Sequence, residues 1–111
     1  MQSDFRVETH TTERVATVSV RGELDLVSSP TLEKALHRAI DADVDVVLLD
    51  LRGLDFMDST GLHLLIKAQQ RAQAAARRFA LIRGGAQVER LLSLTGASEL
   101  LEIIDSPEEV L

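Results

Sequence analysis

No cysteine occurs among the 111 residues. That absence removes thiol catalysis, disulfides and cysteine-ligated zinc or iron–sulfur sites, and it fits a reducing compartment. Tryptophan and tyrosine are missing too, and the aromatic content consists of Phe5, Phe56 and Phe79. Proteins that bind nucleic acid generally present a basic face, and single-strand binders add stacking rings. With a net charge of −6 this chain offers neither, so direct nucleic-acid contact is not expected. Lys67, Arg71, Arg77 and Arg78 make a local basic patch that reads as a solvated helix face. No stretch approaches the ~20 apolar residues of a membrane span. Met1-Gln2-Ser3-Asp4-Phe5-Arg6 lacks the basic start and apolar core of a signal peptide. The expectation is a soluble, cytoplasmic protein with no membrane partner.

What the chain does contain is an alternation of strand and helix. Its length suits a single domain, taken as residues 1–111. Such a domain hides roughly two-thirds of its unfolded surface and needs no disulfide or metal to fold. Phe5 to His10 and Val15 to Val20 each alternate apolar and polar residues. They are expected to pair antiparallel across Thr11-Thr12-Glu13-Arg14. Gly22 is read as opening a loop that continues to Val27. Ser29-Pro30 reads as N-cap plus first residue of a helix ending near Asp41, with Leu32, Ala35, Leu36, Ala39 and Ile40 on one face.

Val44 to Leu51 is nearly continuous apolar and β-branched sequence, the signature of a strand buried on both faces. A second helix is expected from Ser59 or Thr60 to about Arg78. Phe79-Ala80-Leu81-Ile82 follows as a short strand. Gly84-Gly85 turns into a third helix, Gln87 to Thr95, which Gly96 stops. Leu101 to Ile104 is a last strand. Ser106-Pro107-Glu108-Glu109 has the spacing of a capping box with Pro at the first helical position. Two N-terminal strands followed by β–α units predict an α/β fold, a single domain with a mixed central β-sheet and helices packed on it.

The densest polar chemistry lies in Leu54-Asp55-Phe56-Met57-Asp58-Ser59-Thr60-Gly61-Leu62. Two hydroxyls flanked by carboxylates stand where a strand hands over to a helix N-terminus, a place suited to a phosphate. Helical phase puts Ser59, His63, Lys67, Gln70, Ala74 and Arg78 in one sector of about 100°. Ser59 therefore heads an outward stripe, while Phe56 and Leu62 are expected to anchor the turn in the core. Ser, Thr and Asp before a helix are also ordinary N-caps, so Ser59 or Thr60 is open to that role. One cap, however, needs one residue, and three capping-type residues stand together here.

Self-contained catalysis is not expected. A nucleophilic triad needs a base bonded to the hydroxyl and a third group behind it, which Asp58, Ser59 and His63 on one helix start do not supply. The Gly-x-Ser-x-Gly elbow is absent. His10, His37 and His63 show no metal-ligand spacing. Arg83-Gly84-Gly85-Ala86 matches neither a P-loop nor a dinucleotide fingerprint.

Gly22-Glu23-Leu24-Asp25, the strand Val47-Leu48-Leu49-Asp50-Leu51, Phe56-Met57-Asp58-Ser59-Thr60-Gly61-Leu62 and Arg90-Leu91-Leu92-Ser93-Leu94-Thr95-Gly96 together resemble the bacterial anti-sigma factor antagonists of the STAS domain class. The resemblance covers nearly the whole chain. It implies a phosphorylation-controlled partner switch. In that family a partner that is both serine kinase and anti-sigma factor phosphorylates the serine after the Asp, here Ser59. Asp25 matches the acid of the family's Gly-Glu-Leu-Asp loop beside that serine.

The surrounding partner-contact residues implied here are Asp25, Asp58, Thr60, Gly61, Leu62, His63 and Lys67. The kinase supplies ATP and magnesium, so this chain is a substrate with no cofactor or metal of its own. A phosphatase acting on phospho-Ser59 would reset it. His63 departs from the second Gly found in many members. Alternative expectations are a STAS scaffold that is never phosphorylated, or a module binding a nucleotide or small ligand at the strand ends.

Overall fold

Strands Arg6–Thr12 (β1), Val15–Leu24 (β2), Val46–Met57 (β3), Arg78–Ile82 (β4) and Glu102–Ile104 (β5) form one sheet in that order. The computed structural model describes residues 4–110. Helices Ser29–Asp41 (α1), Ser59–Ala74 (α2) and Ala86–Leu94 (α3) connect successive parallel strands, and short 3-10 turns occupy Ala97–Glu99 and Pro107–Glu109. β1 and β2 pair antiparallel, and every later pair is parallel. The mixed sheet expected from the sequence is therefore the one observed.

Because crossovers between parallel strands keep one hand, consecutive helices fall on the same face. Leu32, Leu36 and Ile40 of α1, Leu62 and Leu65 of α2, and Val88 and Leu92 of α3 share one core with Val18, Val47, Leu49 and Leu81 of the sheet. On the opposite face Val15, Leu48, Ala80, Ile82 and Ile104 form a smaller cluster. β3 is thus buried on both faces, as its unbroken apolar run requires.

The β1–β2 turn is tight. Glu13 and Arg14 both take positive φ, 51° and 68°, the geometry that matches the twist of a two-residue hairpin. Neither is glycine, so each carries a steric cost of roughly 1–2 kcal/mol. Arg14 is held from outside: its guanidinium reaches Asp43 at 3.1 Å and Asp45 at 3.0 Å, and its carbonyl accepts from the Asp45 N–H at 2.8 Å.

Several boundaries differ from those read in the sequence. β2 continues through Gly22-Glu23-Leu24 instead of opening a loop at Gly22. β3 runs on past Leu51 to Met57. The two extensions pair with each other, and bulges between Ser19 and Arg21 and between Gly22 and Glu23 interrupt the alternation that would have revealed them. The N-cap position of α1 lies one residue earlier, at Ser28, whose side chain makes no capping bond to the helix.

α2 stops at Ala74, not near Arg78. Ala76 takes φ 60°, and Arg78 is already in the ladder opposite Val46. Between them the Arg77 guanidinium donates to the Ile40 and Ala42 carbonyls at 3.1 and 3.0 Å. Those are orphan acceptors at the C-terminal end of α1. The alanine run favours helix, but these tertiary partners end it. Gly96 terminates α3 as expected, in the left-handed region at φ 79°. The capping box forms as well, with Glu109 accepting from the Ser106 N–H at 3.0 Å.

Candidate functional site

Leu24 and Met57 are register partners at the C-terminal ends of two parallel strands. Asp25 and Asp58 therefore leave the sheet side by side, about 4.8 Å being the spacing of neighbouring strands. The Asp58 N–H also donates to the Leu24 carbonyl at 3.2 Å. One chain end leads into α1 and the other into α2, so both helix N-termini open at this edge.

Asp25 folds its own loop. Its Oδ1 accepts from the backbone N–H groups of Val27 and Ser28, both at 3.0 Å. Its own N–H donates to Ser28 Oγ at 2.9 Å, and that hydroxyl donates to the Glu23 carbonyl at 2.7 Å. The Ser28 backbone N–H, aided by the other donors, holds the Asp25 carboxyl below the usual carboxylate range. With its polar groups turned inward, the loop presents Leu26 and Val27, which are 73% and 86% exposed. Sequence reasoning missed both. The available signal was a pair of apolar residues between Asp25 and Ser28, where no periodic element could bury them.

Asp58 does different work. It is the N-cap of α2, and its Oδ1 accepts from the Thr60 and Gly61 N–H groups at 2.9 and 3.1 Å. The capping role left open to Ser59 or Thr60 thus falls to the carboxylate, which leaves the Ser59 hydroxyl free of it. Ser59 is the first helical residue and is exposed. His63 and Lys67, one and two turns on, are exposed along the same stripe, and Thr60 is half-buried. Arg78, placed at the end of that stripe by helical phase, lies in β4 instead.

Three residues of the motif support the turn from within. A Cβ on Gly61 would stand 2.8 Å from Leu24 Cγ and from Met57 Cγ, so only glycine lets α2 sit this close to both strand ends. Leu62 and Met57 are buried. Gly61 and Leu62 are buried and shape the site from beneath its surface. Phe56 is corrected: it is 39% exposed, and Leu54 and Met57 are the anchors instead. The bulge in the β2–β3 register moves the alternation by one residue. Gln87, at the start of α3, adds a clamp not anticipated from sequence. Its side-chain amide accepts from the Met57 N–H and donates to the Met57 carbonyl, both at 2.9 Å.

Between the N-terminal halves of α1 and α2 runs an open groove of about 290 Å³, lined among others by Leu26, Pro30, Thr60, His63, Leu64 and Lys67. Lys67 Nζ lies 3.8 Å from Glu33 across it; Lys67 is exposed and Glu33 half-buried, and a pair this open to water contributes little to stability. No group of three or more His, Asp or Glu residues is placed to hold a metal among the described residues. No helix among them is long and apolar enough to cross a membrane. The arrangement is an exposed hydroxyl at a helix N-terminus, framed by two carboxylates that are each tied to backbone N–H groups, with an apolar loop tip beside it.

Residues 6–110 match the family model described as the STAS domain. The chain belongs to the STAS domain family. Among its relatives is an anti-sigma-B factor antagonist of Staphylococcus aureus, 26% identical over 105 residues, spanning 95% of this chain and 97% of the relative. The fold superimposes on the crystal structure of an anti-sigma factor antagonist from Mycobacterium paratuberculosis with TM-score 0.87 and 24% identity, covering 96% of this chain and 90% of that one. It also matches the Bacillus cell fate determinant SpoIIAA in its phosphorylated form, with TM-score 0.69 and 23% identity over 95% of this chain and 94% of that one. These structures share the fold of this chain.

Proposed function

We propose that this chain is an anti-sigma factor antagonist whose affinity for its partner is set by phosphorylation of Ser59. The observation that carries the reading is the division of labour at the start of α2. Asp58 caps the helix, so the exposed Ser59 hydroxyl has no structural duty and is free to accept a phosphoryl group. The relatives' names as anti-sigma factor antagonists support the partner class, and the phosphorylated form of SpoIIAA supports the modification.

In this reading the unphosphorylated chain binds a serine kinase that is also an anti-sigma factor, and a sigma factor is released. Leu26 and Val27 supply apolar contact beside Ser59, and His63 and Lys67 extend the surface along α2. The kinase brings ATP and magnesium; this chain positions the acceptor. Phosphorylation adds about −1.5 to −2 charges at Ser59. The helix N-terminus favours that charge by roughly 0.3–1 kcal/mol, so the fold tolerates it. Across a desolvated interface the added charge beside Asp58 opposes binding, and a loss of about 1.4 kcal/mol is tenfold in affinity. The switch needs no refolding. A phosphatase acting on phospho-Ser59 reverses it.

The test is incubation with the kinase-type anti-sigma factors of the same organism and ATP, followed by mapping of the phosphate by mass spectrometry. Label is expected on Ser59 and absent from Ser59→Ala, and Ser59→Glu is expected to weaken the complex by about tenfold or more. Undiminished label on Ser59→Ala would overturn the assignment.

A further inference from the structure

We propose that the free edge of β1, together with the groove beneath it against α1, is a second docking surface, which takes an extended acidic segment of a partner protein as a sixth strand. β1 stands at the end of the sheet order, so one side of its backbone has no ladder partner among the described residues. Exposed edges are ordinarily blunted by proline, a bulge, shortness or an inward charge. β1 spans seven residues, contains no proline and pairs with β2 in unbroken register from Arg6 to Thr12. Its row toward α1 is Val7, Thr9 and Thr11, all β-branched and uncharged; Val7 is half-buried and the two threonines are exposed. The charged residues Arg6 and Glu8, with His10, are confined to the other row.

Under that uncharged row lies a groove of about 530 Å³, with Ala35, Ala39 and Ala42 along its floor and Lys34 and Arg38 on its α1 side. The two cations are one helical turn apart and exposed. The acids of α1 are engaged elsewhere, Glu33 with Lys67 and Asp41 with Arg71. Lys34 and Arg38 have no acidic partner among the described residues. In a chain of net charge −6, this is a local reversal of sign.

A strand added to β1 would lie about 4.8 Å farther out. Its alternate side chains on the helix side would meet Lys34 and Arg38, and its backbone would satisfy the free groups of β1. Carboxylates fit that row. A second copy fits it poorly, because pairing β1 with β1 about a two-fold axis brings two sets of Lys34 and Arg38 together. This surface is separate from Ser59, and the inference does not depend on the phosphorylation reading.

The experiment uses the full chain, labelled for NMR, and two fluorescent peptides of about eight residues that alternate valine with glutamate or valine with lysine. The glutamate peptide is expected to bind, to slow amide exchange in β1 and to shift residues facing the groove. Lys34→Glu/Arg38→Glu is expected to lose about tenfold or more in affinity, with its amide spectrum outside α1 and β1 unchanged. Equal binding of both peptides, equal binding by the charge-reversed variant, perturbed amides clustered away from β1, or no binding near 1 mM peptide would each overturn the proposal. Protection of β1 that grows with protein concentration alone would assign the edge to a second copy and overturn it as well.

Discussion

Asp25 and Asp58 occupy corresponding places: each is the first residue past a strand end, and the strands are neighbours in register. Their outcomes differ because different backbone donors follow them. After Asp25 the chain curls, so the carboxylate binds the N–H groups of its own loop at Val27 and Ser28, and the tip carries apolar side chains outward. After Asp58 the helix begins at once, so the carboxylate binds the orphan N–H groups of Thr60 and Gly61, and the next residue offers a hydroxyl. One aspartate shapes an apolar loop tip and the other leaves the following hydroxyl uncapped. A motif of acids and hydroxyls therefore acquires roles only through the donors that the fold brings to each acid.

The most damaging change should strike the point where both strand ends meet. Gly61→Val places a branched side chain against Leu24 and Met57, where even a Cβ would come within 2.8 Å of each. A loss of about 3 kcal/mol is expected, at the upper end of overpacking costs, read as a lower urea midpoint. An unchanged midpoint would show that α2 can lift away from the strand ends. Next in size, Asp58→Ala removes the cap and should cost about 1 kcal/mol, a fall on the order of 5 °C in thermal midpoint. Asp58→Asn retains the acceptor and should cost much less. If both variants lose the same stability, the capping role is wrong.

The smallest effect concerns pH. The Asp25 carboxyl is held below its ordinary value of 3.8, so the ionised form is the one the fold favours. Its stabilising contribution is present above that value and disappears as pH falls through the lowered one. The urea midpoint of the unaltered chain should therefore drop more between about pH 6 and pH 3 than that of Asp25→Asn, whose amide oxygen still accepts from the loop. Parallel curves would show that the Asp25 loop is indifferent to the charge.

Much of this architecture can be read from periodicity. The face of α1, the doubly buried centre of β3 and the antiparallel start all follow from apolar spacing. So does the outward stripe of Ser59, His63 and Lys67, because helical phase depends only on spacing once the helix start is known. The extensions of β2 and β3 were hidden because glycines and bulges break a period of two, and because the two segments stabilise each other across a sequence gap. The early end of α2 was hidden by alanines that favour helix locally, while Arg77 satisfies acceptors on α1 instead. At the site the acids and hydroxyls were visible, but not which acid caps. Leu26 and Val27 carried a signal as apolar residues outside any periodic element, whereas Gln87 was legible only once α3 had been brought to the end of β3.

The bond from Arg77 to the end of α1 has a mechanical consequence. It fastens the end of α1 to the segment after α2 on the side away from Ser59, while the close seating of Gly61 on Leu24 and Met57 holds the start of α2. A groove held at both of its ends keeps one shape. Such a surface has little freedom left to surrender on association. Changes made at its rim should then alter how long a complex lasts more than how fast it forms.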